Sequence, residues 1–169
     1  SITLPFTGAS LNSNYSRLSY IFDNTYNRIY DNLKSVTITN ETSVKEYAFY
    51  GCSSLTTITY NQDITKIGNY AFYNCSSLEN SIVIPESINS IGGFAFGGTS
   101  DKLTVVLNCS LSKIMDLNNN FNSNNPGYNS KKIFGSSNAK LVLNKTDDLT
   151  SIPAYAFYNC QNLDSIYLS

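Results

Sequence analysis

Few side chains in this chain of 169 residues are equipped for chemistry, and their spacing argues against most of it. There are four cysteines and no histidine. Cys52, Cys75 and Cys160 each stand three residues after a phenylalanine, and Cys109 follows a short apolar run. No Cys-x-x-Cys pair occurs and no imidazole can complete a ligand set, so neither a metal nor a cofactor is expected. The cysteines read as small buried hydrophobes filling one repeated niche, with free thiols. A disulfide between Cys52 and Cys75, which hold equivalent places, is the alternative.

The acids are equally unpromising. Twelve carboxylates are scattered along the chain, and Asp147-Asp148 is the only adjacent pair. A retaining glycosidase needs two carboxyl groups about 5 Å apart in a cleft, whereas paired acids in a turn are ordinarily solvated. Gly92-Gly93 and Gly97-Gly98 are not followed by the Lys-Ser/Thr of a phosphate loop. No catalytic residue is expected. Tyrosines offer more: Tyr47, Tyr70, Phe94 and Tyr155 form one recurring set, and Tyr50, Tyr73 and Tyr158 a second. Aromatic ladders can stack a sugar or a partner's side chains, although covering the seam between repeats is the simpler role.

These positions are set by an internal repeat. Tyr47-Ala48-Phe49-Tyr50-Gly51-Cys52-Ser53-Ser54-Leu55 returns at 70–78 and, with three changes, at 155–163, while Phe94-Ala95-Phe96 is a degraded copy. The basic period is 23 to 24 residues. Each unit also carries a short alternating run: Val36-Thr37-Ile38, Ile58-Thr59-Tyr60, Ile82-Val83-Ile84, Val105-Val106-Leu107, Leu141-Val142-Leu143 and Ile166-Tyr167-Leu168, with Ile2-Thr3-Leu4 as a seventh. Alternation in β-branched residues predicts strands whose outer members point inward and whose middle member points outward. A second apolar piece (Val44; Ile64 and Ile67; Ile88 and Ile91; Leu149 and Ile152) marks the returning side of each unit. Three residues of strand have no face to bury alone, so the units must stack, phenylalanine upon phenylalanine, into one column.

The pattern I-x-I-P-x-S-I-x-x-I-G-x-x-A-F-x-x-C-x-x-L resembles the surface-antigen, or BspA-like, type of leucine-rich repeat. Residues 82–103 follow it nearly throughout, with Thr99 in place of the cysteine. The first 34 residues depart from it most. The resemblance implies a leucine-rich-repeat solenoid of right-handed coils, with a short-strand parallel sheet on the concave face and turns and short helical segments elsewhere. One domain over residues 1–169, of about six to seven coils, is expected. An Asn-rich insertion at 117–131 reads as a disordered decoration, with a contact finger as the alternative. The chain opens and closes in mid-pattern and is expected to be a segment of a longer surface protein.

Net charge is −1, and charged residues make up only 14% of the chain, so nothing suggests nucleic acid or an anionic membrane as partner. No apolar run reaches the ~18 residues needed to span a bilayer, so direct membrane insertion is not expected. The outward strand positions form the largest candidate surface: Thr37, Thr57, Thr59, Ser81, Val83, Thr104, Val106, Val142 and Tyr167. Concave faces of repeat proteins are general binding surfaces, and the resemblance implies adhesion to a protein or glycan ligand outside the cell. Poverty in Arg and Trp points to weak or multivalent binding. A structural spacer or stalk is the competing expectation, and an accessory domain of a carbohydrate-active enzyme a distant third.

Overall fold

The computed structural model describes residues 2–4, 32–109, 140–144 and 166–168. Ten short strands follow in chain order: β1 (Ile2–Leu4), β2 (Ser35–Ile38), β3 (Ser43–Val44), β4 (Thr57–Tyr60), β5 (Lys66–Ile67), β6 (Ile82–Ile84), β7 (Ser90–Ile91), β8 (Thr104–Leu107), β9 (Lys140–Leu143) and β10 (Ile166–Leu168). All seven alternating triplets are strands, and every pairing is parallel. The chain therefore winds as a parallel β-solenoid, one coil on the next. The 117–131 insertion, the repeat copy at 155–163 with Cys160, and Asp147-Asp148 lie outside the described residues.

Alternation sets the faces as expected. Val36 and Ile38, Ile82 and Ile84, Val105 and Leu107, and Leu141 and Leu143 are buried, while the residue between each pair is exposed or half-buried. The returning side holds a second sheet, β3-β5-β7, in which Val44, Ile67 and Ile91 are in register and buried. Between the two sides stand Phe49, Phe72 and Phe96, all fully buried. Their rings stack at 5.4 Å from one to the next. This spacing is close to the ~4.8 Å between neighbouring strands, so each coil sets its ring directly on the last.

No helix occurs among the described residues, where turns take the place of the short helical segments that the resemblance implies. The reason lies in where the backbone groups of the Ala-Phe segment go. Tyr47, Phe49 and Gly51 donate their N–H groups to the next coil, at Asn69, Ala71 and Tyr73. The intervening Ala48, Tyr50 and Cys52 donate to the carbonyl three residues back. Tyr70 to Cys75 repeat the same alternation against Gly93, Ala95 and Gly97. Half the donors are thus committed between coils, and a helix, which needs all of them within one segment, cannot form.

This strip requires two left-handed residues per coil. Tyr47, Tyr70 and Phe94 have φ of 57°, 54° and 56°, and Gly51, Asn74 and Gly98 have 75°, 59° and 67°. Glycine and asparagine tolerate that region, but an aromatic residue there costs about 1–2 kcal/mol. Burying a phenylalanine returns about 1.5–3 kcal/mol, and an aromatic pair adds about 0.5–1.5 kcal/mol, so each coil gains overall. Close stacking explains the glycine of the Ile-Gly motif as well. A Cβ on Gly68 would lie 2.5 Å from the backbone nitrogen of Glu46, and one on Gly92 would strike that of Asn69.

The strand side is not one sheet. It divides into β1-β2-β4 and β6-β8-β9-β10, and β4 and β6 approach each other less closely than ladder-paired neighbours do. At three other junctions the residue after the strand donates its N–H across: Asn61 to Ile38, Asn108 to Ile84 and Asn144 to Leu107. After β6 the corresponding residue is Pro85, which has no N–H to give. Side chains bridge the coils there instead. The Tyr60 hydroxyl donates to the Val83 carbonyl at 2.6 Å. The Asn80 amide donates to the Thr56 carbonyl and to Oγ1 of Thr57. Ser87 donates to the carbonyls of Gln62 and Ile64.

Candidate interaction face

Parallel register gathers the outward residues into rows. Thr3, Thr37 and Thr59 align across β1, β2 and β4, and Ser35 aligns with Thr57. Val83, Val106, Val142 and Tyr167 align across β6, β8, β9 and β10, and Thr104 aligns with Lys140. Eight of the nine candidate positions therefore fall into two ladder-held groups. Ser81 is exposed but stands just before the β6 ladder and outside its register. The outward rows therefore form two panels, since no ladder joins β4 to β6.

The panels differ chemically. The first presents hydroxyl-bearing side chains, with Thr59 exposed and Thr37 half-buried. The second presents aliphatic ones, led by Val83, which is 48% exposed. Lys140 is the only formally charged side chain in these rows among the described residues. Nearby, Lys102 and Glu79 approach to 3.8 Å, but both are well exposed, and such a pair adds little.

A second surface runs along the turn edge. Tyr47, Tyr70 and Phe94 stack at 5.1 and 5.2 Å, and Tyr50 stacks on Tyr73 at 5.3 Å. Tyr50 is 38% exposed and the others half-buried. Stacking spends at least one face of each ring on its neighbour. A pyranose ring needs an open aromatic face, and this arrangement suits the seam-covering role better than sugar stacking.

The described cysteines lie inside. Cys52, Cys75 and Cys109 are free and buried. Burial pushes the Cys52 thiol up to about 12. The Cys75 thiol is also raised, first by burial and then by neighbouring Cys52, and it donates to the Phe49 carbonyl at 3.2 Å. Neutral, buried thiols are poor nucleophiles and poor ligands. Among the described residues no cluster of three or more His, Cys, Asp or Glu side chains could hold a metal, and no helix is long and apolar enough to cross a membrane.

Several residues that shape the face went unrecognised in the sequence: Tyr60, Asn80 and Ser87 as bridges, and Pro85 as the interruption. A faint signal existed. Thr37 and Thr59 are 22 residues apart and Val83 and Val106 are 23, but Thr59 and Val83 are 24 apart, with a proline directly after the strand.

The pattern of the BspA type leucine rich repeat region matches residues 19–125 and 129–169 in six copies. No curated protein and no solved structure matches the chain.

Proposed function

The chain belongs to the BspA-type leucine-rich-repeat family, and on that footing we propose that it is a non-catalytic adhesion module which binds a protein or glycan ligand outside the cell through its strand face. The family is commonly surface-associated and its repeats serve as interaction modules. One observation carries the proposal to this face: outward residues, mostly threonine and valine, are held in register within two groups of parallel strands, β1-β2-β4 and β6-β8-β9-β10, nearly without charge. Such rows repeat at strand spacing, which suits an extended or multivalent partner. We place all 169 residues in one domain of six to seven coils.

The experiment is a panel of matrix proteins and glycans probed with the chain. Saturable binding is expected, lost in Thr59→Lys and Val83→Lys and kept in Tyr50→Ala/Tyr73→Ala. Binding that survives both lysines overturns the assignment to the strand face. A blank panel favours the second reading, a spacer, which the unbroken Phe49–Phe72–Phe96 column supports by stiffening the array.

A further inference from the structure

We infer that the seam between β4 and β6 is a latched opening, at which the two panels of the strand face swing apart about a hinge on the returning side. Four observations meet at this one coil boundary. First, β4 and β6 share no ladder, whereas the strands on either side of them are paired.

Second, the returning side of the same boundary is fully joined. Here β5 and β7 pair through Lys66 with Ser90 and Ile67 with Ile91. Phe72 stacks on Phe96, and Tyr70, Phe72 and Asn74 donate to Gly93, Ala95 and Gly97. A boundary held on one side and unladdered on the other can flex in one direction only.

Third, no ladder bond crosses the strand side, and the contacts made by the strands and their flanks are side-chain hydrogen bonds, with one backbone bond, from the Ser77 N–H to the Ser53 carbonyl, in the turn before them. Tyr60 replaces the aliphatic residue found at this inward place in its neighbours (Ile38, Ile84, Leu107 and Leu143) and reaches Val83 through its hydroxyl. Asn80 reaches back to Thr56 and Thr57. Bonds carried by rotatable side chains can be released one at a time, while a strand ladder must give way as a unit.

Fourth, the closed seam leaves a polar atom unsatisfied. Oδ1 of Asn61 is buried without a hydrogen-bond partner. At the equivalent place on β8, Oδ1 of Asn108 accepts from the amide of Asn144 in the next coil, at 3.0 Å. For Asn61 the residue in the next coil is Pro85, which has no amide to offer. Closure therefore carries a desolvation penalty that opening to water relieves. The consequence is a binding surface whose threonine and valine panels adjust their separation. This inference goes beyond the choice of ligand and stands whether or not that choice is right.

The test uses nitroxide pairs at outward positions, with Cys160→Ala throughout and the three buried thiols left in place. Dipolar broadening is compared for Thr37→Cys/Thr59→Cys, Thr59→Cys/Val83→Cys and Val83→Cys/Val106→Cys, and for Lys66→Cys/Ser90→Cys on the hinge side. We expect the 59/83 pair to lose broadening when Tyr60→Phe deletes the latch hydroxyl, with the other three pairs unchanged. Asn80→Ala, at an exposed side chain, should act in the same direction and covers the case in which Tyr60→Phe does not fold. A 59/83 signal that ignores both substitutions, or one that changes together with the other pairs, overturns the inference.

Discussion

The threonine panel on β1, β2 and β4 and the valine panel on β6, β8 and β9 are built on one plan, yet they differ in outward chemistry and part company at a single boundary. Inward, the described residues of the two are alike in their alternation, and one column of rings, Phe49, Phe72 and Phe96, runs across the boundary between them. Outward residues carry no core duty, so threonine can give way to valine without disturbing what lies beneath. The boundary shows something different. There no ladder joins β4 to β6, and the residue after β6, Pro85, has no N–H to offer the coil before it. Packing makes the column and backbone donors make the sheet, and at Pro85 the first persists without the second.

The harshest way to break the pair is to attack the side on which they are still joined. Gly92→Ala sets a methyl against the backbone nitrogen of Asn69, at the boundary where the strand side has no ladder. Because the obstructing atom is backbone, the cost should reach about 3 kcal/mol or more, the upper end for overpacking. Thermal melts should then resolve two transitions in place of one. A single unshifted transition would show that the panels do not depend on this contact.

A milder probe separates the panels by pH. An unfolded thiol titrates near 9, whereas burial holds Cys52 up to about 12. Below pH 9 the thiol is neutral in both states, and its burial costs no charge. Between pH 9 and 12 the unfolded chain releases a proton that the folded chain retains, so stability falls as pH rises. Cys75, raised by burial and by Cys52, and Tyr60, raised by burial and then by Cys109, act in the same direction. Denaturant midpoints measured across this window should fall, and Cys52→Ala should flatten the decline.

The smallest effect should come from mending the boundary. Pro85→Asn restores both the N–H offered by Asn61, Asn108 and Asn144 and the side-chain amide that Asn61 lacks. Two hydrogen bonds of ordinary worth, offset by the freedom a proline removes from the unfolded chain, leave a net gain below about 1.5 kcal/mol. Amide exchange is the sharper readout: the new N–H at position 85 should be protected as Asn108 is, and β4 and β6 should pair.

Much of this was legible in the chain. Each strand could be read from its triplet because the period of two is a local property, and Ala beside Phe announced a turn with one ring inside. The two-residue strands β3, β5 and β7 were visible only as apolar markers of a return, since two residues have no periodicity to detect. Left-handed backbone at Tyr47, Tyr70 and Phe94 was hidden, because aromatic residues ordinarily avoid that region and only the coil-to-coil bonds impose it. The division of the face was hidden for a related reason. Pro85 announced the end of its own strand, but the missing bond belongs to the coil before it. Likewise, Tyr60 fits the inward pattern by hydrophobicity, and only its length and hydroxyl set it apart.

The alternating donors of the Ala-Phe strip also govern how such a chain can vary in length. Every second N–H is answered by the carbonyl just before the matching residue of the following coil, as Phe49 is by Ala71 and Phe72 by Ala95. Cutting out one whole coil brings an equivalent carbonyl to the same donor, so duplications and losses of complete units leave the wiring intact. Deleting one residue inside the strip swaps the donors that face the neighbour with those that close turns, and the error falls on both flanking coils at once.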